Sequence, residues 1–455
     1  MRLKLSKKKI YLVGLGITGL SLIKNLLENK IEFYCWDDDR SKRSKLCKKT
    51  IQILPPTMVE YQKIDFLVLS PGIPNDHLSL IFASKKKCKI ISDIELLNYV
   101  DIDMFKIGIT GTNGKSTTTK LIENTLKLKN KNTFSAGNIG TPFWDLKTSS
   151  KNKNTIILES SSYQLEKTKD LSFDISVLLN LSKDHLDRHK SMEKYLEAKL
   201  NIFKNQKKKD YAIICTDDSW CKDVAFSFRN KFNSTLYKLS ANDKNKVDFY
   251  IKKSEKNVHI LDNTIDEEFI FSNKFVKILG QHNLINILCC YVVCKILNIE
   301  KIKFLDSIKK FKGLEHRFEF FKKYKNVSFY NDSKSTNVSS SKVALDNLKN
   351  IFWLVGGKKK TGGILGIKGN LKYVEKAFIY GECKDEFNNY LSKYLDTEVF
   401  SSLEDAIKKS IHSAVNEKKD INLLLSPASA SFDEFKDFEE RGKYFKKVVN
   451  NLIRN

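Results

Sequence analysis

Residues 106–118 read KIGITGTNGKSTT, and this stretch decides the fold of the middle of the chain. Its first residues, Lys106–Ile109, predict a buried strand, and a helical pattern follows the glycine-rich loop as far as about Leu128. A strand, a loop with glycines and a helix in this order are typical of a parallel α/β sheet. The stretch therefore predicts both an α/β fold and a loop at the edge of its sheet.

The loop has the composition of a phosphate-binding loop. Its glycines allow backbone amides to surround phosphate, Lys115 can neutralise the β- and γ-phosphates, and the Ser116 hydroxyl can face Mg²⁺. It departs from the strict pattern G-x-x-x-x-G-K-[ST], because five residues separate Gly108 from Gly114 and Ile109 stands in the place of the first glycine. We predict an ATP or GTP site formed by Gly111, Thr112, Asn113, Gly114, Lys115, Ser116 and Thr117.

A second glycine turn lies nearer the N-terminus. The sequence Gly14–Gly19 (GLGITG) joins a predicted strand, Lys9–Val13, to a predicted helix, Gly19–Glu28. Asp37–Asp39 end the next predicted strand, Ile31–Trp36. Such glycines let amides approach a diphosphate at a helix N-terminus, and the acidic group can accept from ribose hydroxyls. The turn predicts a nucleotide diphosphate site, but it does not distinguish NAD from another diphosphate-linked nucleoside. A tight turn that binds nothing is the alternative.

Two polar clusters follow predicted strands in the middle of the chain. Glu159 follows Thr155–Leu158, and Asp184–His189 (DHLDRH) follows Ile175–Asn180. The carboxyl ends of parallel strands gather ligands, and Mg²⁺ prefers oxygen ligands. The clusters predict metal and substrate chemistry beside the phosphate loop, and helix capping is the alternative for either cluster by itself. Lys199 lies in a helical stretch over 195–203, where composition alone predicts a surface lysine.

The length of 455 residues predicts roughly three domains. Strands and helices keep alternating beyond the strand Tyr211–Cys215, apart from a lysine-rich surface segment over 241–257 and an apolar helix over 280–297. A third α/β segment has predicted strands near Val327–Tyr330, Phe352–Val355, Ala377–Tyr380 and Asn422–Leu425. We predict an α/β protein with a Rossmann-like parallel sheet in 1–98, a P-loop ATPase-type domain in 99–312 and a Rossmann-like domain in 313–455.

Charge and cysteine content limit the partners and the compartment. Lys and Arg number 80 against 54 Asp and Glu, which gives a formal net charge of +26. The lysines are scattered without a basic block, so we expect no nucleic-acid partner, and a nucleic-acid-dependent P-loop ATPase is the alternative. No run of about 18 apolar residues occurs, so we expect no membrane partner. The nine cysteines form no C-x-x-C pair, which indicates reduced thiols and a cytoplasmic location.

Eight motifs, taken together, resemble those of the Mur ligases, the ATP-dependent amino acid ligases that build the stem peptide of peptidoglycan. They are GTNGKSTT (111–118), GNIGTP (137–142), ESSSYQLE (159–166), NLSKDHLDRH (180–189), GQHNLIN (280–286), GLEHRF (313–318), NDSKSTN (331–337) and LLSPASASFDEFKDFEERG (424–442). They span all three predicted domains, so the resemblance covers nearly the whole chain. NDSKSTN and SPASASFDEF resemble the branch that adds D-glutamate, and a relative that adds another amino acid is the alternative.

The resemblance implies that the first domain binds UDP-N-acetylmuramoyl-L-alanine, which replaces the NAD interpretation of the first glycine turn. The matching positions there are Gly16, Ile17, Thr18, Asp37, Asp38, Ser70, Pro71 and Gly72. Asn138 matches a contact to the sugar-peptide substrate, and His282 and Asn283 lie where the family approaches adenine. A nicotinamide-dependent oxidoreductase is the weaker alternative, because it leaves the phosphate loop unexplained.

The resemblance also implies catalytic and metal positions. Lys115, His185 and Lys199 match catalytic residues, and we expect two Mg²⁺ ions at Ser116, Glu159, His185 and Lys199. Lys199 resembles a lysine that reacts with CO₂ to give a carbamate, an oxygen-bearing anion. That reaction needs a neutral amine and hence a lowered pKa.

In the third domain, Arg317 and Asp332 match ATP contacts. The implied D-glutamate site consists of Lys334, Thr336, Lys360, Ser431 and Phe438, with Lys360 preferred over Lys358 and Lys359 by its spacing from the preceding glycines. The implied reaction activates the substrate carboxylate with ATP as an acyl phosphate, which the D-glutamate amine then attacks. We expect a monomer that acts on small molecules.

Overall fold

The computed structural model describes residues 2–46, 51–86, 88–138, 141–149, 152–243, 246–278, 280, 282–359 and 362–453, with the backbone alone at 187. The chain divides into two compact units, one of Met1–Val276 with His282–Lys310 and the other of 277–281 with Phe311–Asn455. Within the described ranges, no helix is both long and apolar enough to cross a membrane. The eight cysteines that these ranges contain are free and buried, which agrees with the prediction of reduced thiols.

The first sheet, in the first unit, has five parallel strands in the order β3-β2-β1-β4-β5. Its strands are β1 (Lys9–Val13), β2 (Glu32–Trp36), β3 (Gln52–Ile53), β4 (Phe66–Leu69) and β5 (Lys89–Ser92). Its helices are α1 (Ile17–Glu28), α2 (Arg40–Ser44) and α3 (Leu78–Lys85). The strand order reverses between β1 and β4, and open sheets of this kind bind ligands at such a reversal.

The second sheet, also in the first unit, has nine strands in the order β14-β13-β12-β11-β10-β9-β6-β8-β7. They are β6 (Met104–Thr110), β7 (Thr133–Gly137), β8 (Asn154–Glu159), β9 (Ile175–Leu178), β10 (Tyr211–Cys215), β11 (Thr235–Ser240), β12 (Phe249–Lys253), β13 (Asn257–Asp262) and β14 (Glu267–Ser272). The strands are parallel from β7 to β12, and β13 and β14 add an antiparallel extension. The helices are α4 (Lys115–Lys127), α5 (Ser162–Glu166), α6 (Leu186–His189), α7 (Met192–Leu200), α8 (Ser219–Ser227), α9 (His282–Ile296) and α10 (Lys301–Lys310).

The third sheet, in the second unit, has six strands in the order β15-β16-β20-β17-β18-β19. They are β15 (Glu319–Tyr324), β16 (Val327–Asn331), β17 (Ile351–Gly356), β18 (Val374–Tyr380), β19 (Asp396–Val399) and β20 (Ile421–Leu425). Only the edge strand β15 runs antiparallel to its neighbour. The helices are α11 (Val338–Asp346), α12 (Lys384–Leu391), α13 (Leu403–Val415) and α14 (Phe438–Leu452).

The cores follow from the alternation of side chains along buried strands. In the third sheet, Phe352 packs into the apolar cluster on one face, and its neighbour Trp353 packs into the cluster on the other. In the first unit, one continuous apolar cluster joins the first and second sheets and includes Leu12 and Ile156. The predicted α/β class with three sheet-based domains is confirmed, and the domain borders at 98/99 and 312/313 stay predictions.

The segment over 241–257 differs from its prediction. It contains the strand β12, whose residues Phe249 and Ile251 are fully buried, so its interpretation as a surface excursion is wrong. The many lysines of this segment make the short strand difficult to recognise in the sequence, and Lys252 and Lys253 at its end are indeed exposed. The strand also pairs with an antiparallel hairpin, β13–β14, that the sequence analysis did not predict.

Candidate functional site

The first glycine turn lies at the reversal of the first sheet, between the carboxyl ends of β1 and β4. Gly14 has a φ of +103°, and a Cβ atom on it would lie 2.5 Å from the Cβ of Ser70, so only glycine fits there. The Ser70 hydroxyl donates to the Gly14 carbonyl at 2.8 Å. Helix α1 begins with Ile17, whose side chain is 78% exposed. The predicted residues 16–18 and 70–72 therefore lie at one edge of the sheet.

Asp37 and Asp38 follow β2 at the same edge but have different surroundings. Asp37 is buried; its Oδ2 accepts the N–H of Leu15 at 2.7 Å, and its Oδ1 accepts the N–H of Asp39 at 2.9 Å. It therefore fixes the glycine turn from within the protein. Asp38 is exposed, and a hydrogen bond from Trp36 lowers the pKa of its carboxyl. Of these two carboxylates, Asp38 is the one accessible to a ligand.

The phosphate loop leaves β6 and is held by asparagines from two other elements. Asn113 donates its N–H to Asn180 Oδ1 at 2.8 Å, just beyond the end of β9. Gly114 precedes α4 with a φ of +82°, and a Cβ atom there would lie 2.6 Å from Asn286 Oδ1. Asn286 in turn donates to Asn283 Oδ1 at 2.8 Å. The structure thus connects Asn283 to the loop through Asn286, a support that the sequence analysis missed although both residues lie in quoted motifs.

Two lysines from different helices meet at one carbonyl of this loop. Lys115 Nζ donates to the Gly111 oxygen at 2.9 Å, and Lys199 Nζ donates to the same oxygen at 2.8 Å. Lys199 is only 2% exposed, so the surface position predicted from composition is wrong. It shares the buried face of α7 with Tyr195. Burial, with the positive charge of Lys115 as a second cause, lowers the pKa of Lys199 well below its ordinary value, which favours a neutral amine.

Glu159 is the last residue of β8 and is 2% exposed. Its Oε1 accepts from Asn138 Nδ2 at 3.2 Å, and its Oε2 has no hydrogen-bond partner among the described residues. A buried carboxylate oxygen without a partner is unfavourable, and a hard cation such as Mg²⁺ would satisfy it. Ser116, at the start of α4, adds a buried hydroxyl. This oxygen-rich set fits Mg²⁺, although nowhere in the described ranges do three His, Cys, Asp or Glu side chains converge.

His185 lies at the N-terminus of α6 with a left-handed φ of +53°. Its Nδ1 lies 2.8 Å from the Tyr163 hydroxyl, and its Nε2 lies 3.4 Å from Asp184 Oδ2. Tyr163 belongs to α5, directly after Glu159, so this contact joins the motifs at 159–166 and 180–189. The imidazole is therefore held in a fixed orientation by a tyrosine that the sequence analysis did not single out.

Arg188, one turn after His185, connects this region to the first sheet. Its guanidinium lies 4.2 Å from the centre of the Tyr163 ring. It donates to the carbonyl of Ile73 at 2.8 Å and to Asn75 Oδ1 at 3.3 Å, directly after the predicted substrate loop 70–72. The sequence analysis missed this link, because the partners lie 115 and 113 positions earlier in the chain.

In the second unit, the neighbouring strands β16, β20 and β17 end at one edge of the third sheet, and the loops after them carry the predicted amino-acid site. Asp332 follows β16 and is buried; its Oδ1 accepts the N–H of Phe318 at 2.9 Å. Its Oδ2 accepts from the hydroxyls of Ser335 at 2.6 Å and Ser426 at 2.8 Å. Burial raises the pKa of Asp332 to about 6. Asp332 thus holds the loops after β16 and β20 together.

The remaining predicted residues of this unit lie around these loops. Lys334 Nζ lies 3.7 Å from the ring centre of Phe438, the first residue of α14. Thr336 lies two positions after Lys334 on the same loop, and Ser431 is buried in the loop after β20. Arg317 carries a positive charge that acts on the Asp332 carboxyl. Lys360 lies outside the described residues.

Comparisons with known proteins agree with this architecture. The Mur ligase middle domain matches residues 109–294, and the Mur ligase MurD-like N-terminal domain matches residues 8–92. The UDP-N-acetylmuramoylalanine--D-glutamate ligase of Rickettsia bellii is 36% identical over 98% of this chain and 98% of its own, and that of Rickettsia prowazekii is 38% identical over 97% and 98%. The ligase of the same name from Wolbachia pipientis wMel is 34% identical over 99% and 98%.

Two solved structures share the fold over nearly all of both chains. The MurF ligase of Thermotoga maritima in complex with ADP has a TM-score of 0.60 at 18% identity and covers 99% of this chain and 100% of its own. The UDP-N-acetylmuramate-alanine ligase MurC of the same organism has a TM-score of 0.59 at 17% identity, with 97% and 99% covered. At these identities the likeness concerns the fold alone.

Proposed function

The chain belongs to the Mur ligase family, in its MurD-like branch, and on this premise we propose that it joins D-glutamate to UDP-N-acetylmuramoyl-L-alanine. It is an ATP-dependent ligase of peptidoglycan precursor synthesis and releases ADP and phosphate. The observation that carries the proposal is the meeting of Lys115 and the buried Lys199 amine on one phosphate-loop carbonyl, at the sheet edge that also carries Glu159.

The first sheet binds the uridine diphosphate part of the substrate. The N-terminus of α1 offers amides and a positive dipole to the diphosphate, and the exposed Ile17 offers an apolar surface beside it. Asp38 is accessible to the sugar hydroxyls, and Asp37 acts indirectly by fixing the glycine turn. The ligand contacts proposed here are those of Gly16, Ile17, Thr18, Asp38, Ser70, Pro71 and Gly72, with Asn138 toward the sugar-peptide part.

Activation of the substrate takes place at the phosphate loop. A carboxylate oxygen of the alanyl group attacks the γ-phosphorus of ATP; the new O–P bond forms as the bond to the leaving ADP oxygen breaks, giving an acyl phosphate. Lys115 stabilises negative charge on the transferring phosphoryl group, and the loop amides hold the remaining phosphates. Asn283 is proposed to approach adenine, and Arg317 is proposed to approach the phosphates. Asp332 serves ATP indirectly, because its Oδ1 accepts the N–H of Phe318 and so holds the segment that carries Arg317.

The oxygens of Ser116 and Glu159 fit Mg²⁺, and we propose two ions, with His185 as a further ligand on the strength of its motif. When bound, Mg²⁺ neutralises phosphate charge and orients the γ-phosphate. Lys199 would contribute a carbamate: its neutral Nζ attacks the carbon of CO₂, a C–N bond forms, and one proton is released to solvent. Its burial and lowered pKa support this step, because a protonated amine has no lone pair to donate.

The amide bond forms when the neutral amine of D-glutamate attacks the acyl carbon. The tetrahedral intermediate then expels phosphate, and the nitrogen loses its proton. The residues proposed to hold D-glutamate are Lys334, Thr336, Lys360, Ser431 and Phe438, two of which are cations suited to its carboxylates. A monomeric state and a cytoplasmic location stay predictions.

Phosphate release by the purified chain tests this function. The assay contains ATP, Mg²⁺ and UDP-N-acetylmuramoyl-L-alanine, with D-glutamate, L-alanine, L-lysine or diaminopimelate offered in turn. We expect phosphate release only when D-glutamate is the amino acid offered. Lys115→Ala should abolish this release while the variant still folds. Preference for another amino acid would reassign the chain within its family, and no release with any of them would contradict the proposal.

A further inference from the structure

Arg441 is the largest charged side chain that is wholly buried among the described residues, with an exposure of 0%. It lies on α14, and its guanidinium donates to four oxygen atoms. Two belong to Ser333, whose hydroxyl accepts at 3.0 Å and whose carbonyl accepts at 2.9 Å. The others are the carbonyls of Ser429 and Ala430, both at 3.1 Å. A single side chain on a helix therefore ties together the loops that follow β16 and β20.

The same guanidinium also packs against the loop after β17. Gly357 has a φ of +129°, and a Cβ atom on it would lie 3.1 Å from Arg441 Nη1 and 2.4 Å from the Ala430 carbonyl. Lys358, the next residue, donates its N–H to that carbonyl at 2.9 Å. Described segments of the loops after β16, β20 and β17 thus converge on Arg441.

The charge of Arg441 has no acidic partner within the described ranges, since all four acceptors are backbone carbonyls or a hydroxyl. The charge of Arg441 acts on the Glu434 carboxyl, but burial raises the pKa of that carboxyl, and its Oε2 accepts the N–H of Leu403. Burying a cation without a carboxylate is unfavourable in a free protein. The charge therefore adds to the positive potential of a site that has to accept an amino acid with two carboxylates.

Peptide geometry shows how Arg441 acts on the site. In a trans peptide the N–H points opposite to the C=O of the same unit, and the described chain has no cis peptide bond. Because the Ala430 carbonyl points at Arg441, the N–H of Ser431 points away from it. Arg441 therefore sets the direction of the amide of Ser431, a residue of the proposed D-glutamate site.

Composition supports a geometric requirement at this position. Arginine accounts for only 8 of the 80 Lys and Arg residues of the chain. Lysine carries the same charge but offers its donors from a single point, whereas the guanidinium presents donors along a planar fork. Only the planar fork of a guanidinium can donate to acceptors on two loops at once.

We propose that Arg441 is a positioning residue of the D-glutamate site, holding the loop segments 333–336, 357–359 and 429–431 in the arrangement that binds the incoming amino acid. This inference rests on the proposed function. Activation of the other substrate takes place at the phosphate loop of the first unit, so loss of Arg441 is expected to weaken amino-acid binding and to leave acyl phosphate formation intact.

The test compares Arg441→Lys and Arg441→Met with Arg229→Lys, the same conservative change at an exposed position. The first readout omits D-glutamate and traps the acyl phosphate with hydroxylamine, which gives a hydroxamate and phosphate. We expect the Arg441→Lys rate to stay within about twofold of wild type, since the phosphate loop is untouched. The second readout is phosphate release against D-glutamate concentration. We expect its KM to rise at least about 10-fold, because lysine cannot bridge both loops.

A gentler variant keeps the test decisive where Arg441 variants fold poorly. Ser333→Ala removes a hydroxyl that accepts from Arg441 Nε and donates to the Phe438 carbonyl, and we expect KM for D-glutamate to rise at least about 3-fold, the effect of one to two net hydrogen bonds. Unchanged KM for D-glutamate in Arg441→Lys and Ser333→Ala would overturn the inference, as would a fall in hydroxamate formation equal to the fall in the complete reaction. Wild-type protein that forms no hydroxamate would instead contradict the proposed function.

Discussion

Lys199 offers the sharpest perturbation of the proposed site. Lys199→Ala removes the amine that contacts the Gly111 carbonyl and would carry the carbamate. Removal of one preorganised group that stabilises transition-state charge, such as an oxyanion-hole donor, lowers kcat by about 10²–10³-fold, and we expect a loss of that size. The assay is phosphate release with UDP-N-acetylmuramoyl-L-alanine and D-glutamate, and an alanine variant with wild-type turnover would refute the role assigned to Lys199.

The effect on stability can be separated from the effect on catalysis by a second substitution. Lys199→Ala removes three buried methylene groups, worth about 2.4 kcal/mol at about 0.8 kcal/mol for each. Lys199→Met keeps nearly the same volume, so it removes the amine without a large cavity. Short carboxylic acids such as formate are expected to restore part of the activity of the alanine variant, where space is created, and none in the methionine variant, where it is filled.

The lowered pKa of Lys199 fixes the sign of the stability change. At neutral pH the unfolded lysine is protonated, whereas the folded site disfavours that proton. The free energy of unfolding of the wild-type protein therefore falls by about 1.4 kcal/mol for each pH unit below the pKa of the unfolded lysine, until the pH reaches the lowered pKa of the folded site. In CO₂-free buffer, Lys199→Met should therefore have a higher free energy of unfolding than wild type at pH 7, and a smaller advantage at pH 9. Urea denaturation at both pH values measures this, and a methionine variant less stable than wild type at pH 7 would show that the folded site tolerates the charged amine.

Three further outcomes follow from contacts in the first unit. Glu159→Gln should lower activity at least about 10²-fold and weaken the Mg²⁺ dependence in a metal titration, with thermal stability nearly unchanged because the glutamine can still accept from Asn138. Arg188→Lys should raise KM for UDP-N-acetylmuramoyl-L-alanine about 10-fold and leave KM for ATP unchanged in the same assay, because Arg188 holds the segment after the substrate loop. Burial raises the pKa of Asp93 to about 6, so the folded state favours its neutral form, and stability present below about pH 4 is lost as pH rises through 6. Asp93→Asn should therefore gain up to about 3 kcal/mol over wild type at pH 7.5 and nothing at pH 4 in urea denaturation, and equal gains at both values would contradict the assignment.

Local pattern predicts those features of this chain that depend on a few neighbouring residues. The strands Lys9–Val13 and Tyr211–Cys215 have the predicted bounds, because each is a short apolar run that leads into polar or turn-forming residues. The phosphate loop was predicted for the same reason, since its glycines and its lysine lie within eight positions of one another. Strand order and the supports of the loop depend on residues far apart in the chain, and no local pattern encodes them.

Burial of a basic side chain is the clearest case of that limit. Composition predicts a solvated lysine at 199, and only the packing of α7 against the second sheet turns that residue inward. The resemblance to the Mur ligases singled out Lys199 where the physical reading of the sequence could not. It did not single out Arg188 or Arg441. Their hydrogen-bond acceptors are mostly backbone carbonyls, which every residue carries, so the residue types in the sequence do not identify these contacts.

The large positive charge of the chain matters less for its chemistry than the placement of two side chains. Among the Lys and Arg residues of the described ranges, only Lys199 and Arg441 are buried, and backbone carbonyls accept from both. A carboxylate partner would keep Lys199 protonated and would cancel the charge of Arg441, whereas a carbonyl satisfies the N–H groups and does neither. Lys199 contacts the loop at which phosphate transfer is proposed, and Arg441 contacts the loops that are proposed to receive D-glutamate. If each residue acts on one half of the reaction as proposed, their variants should separate acyl phosphate formation from amino-acid addition.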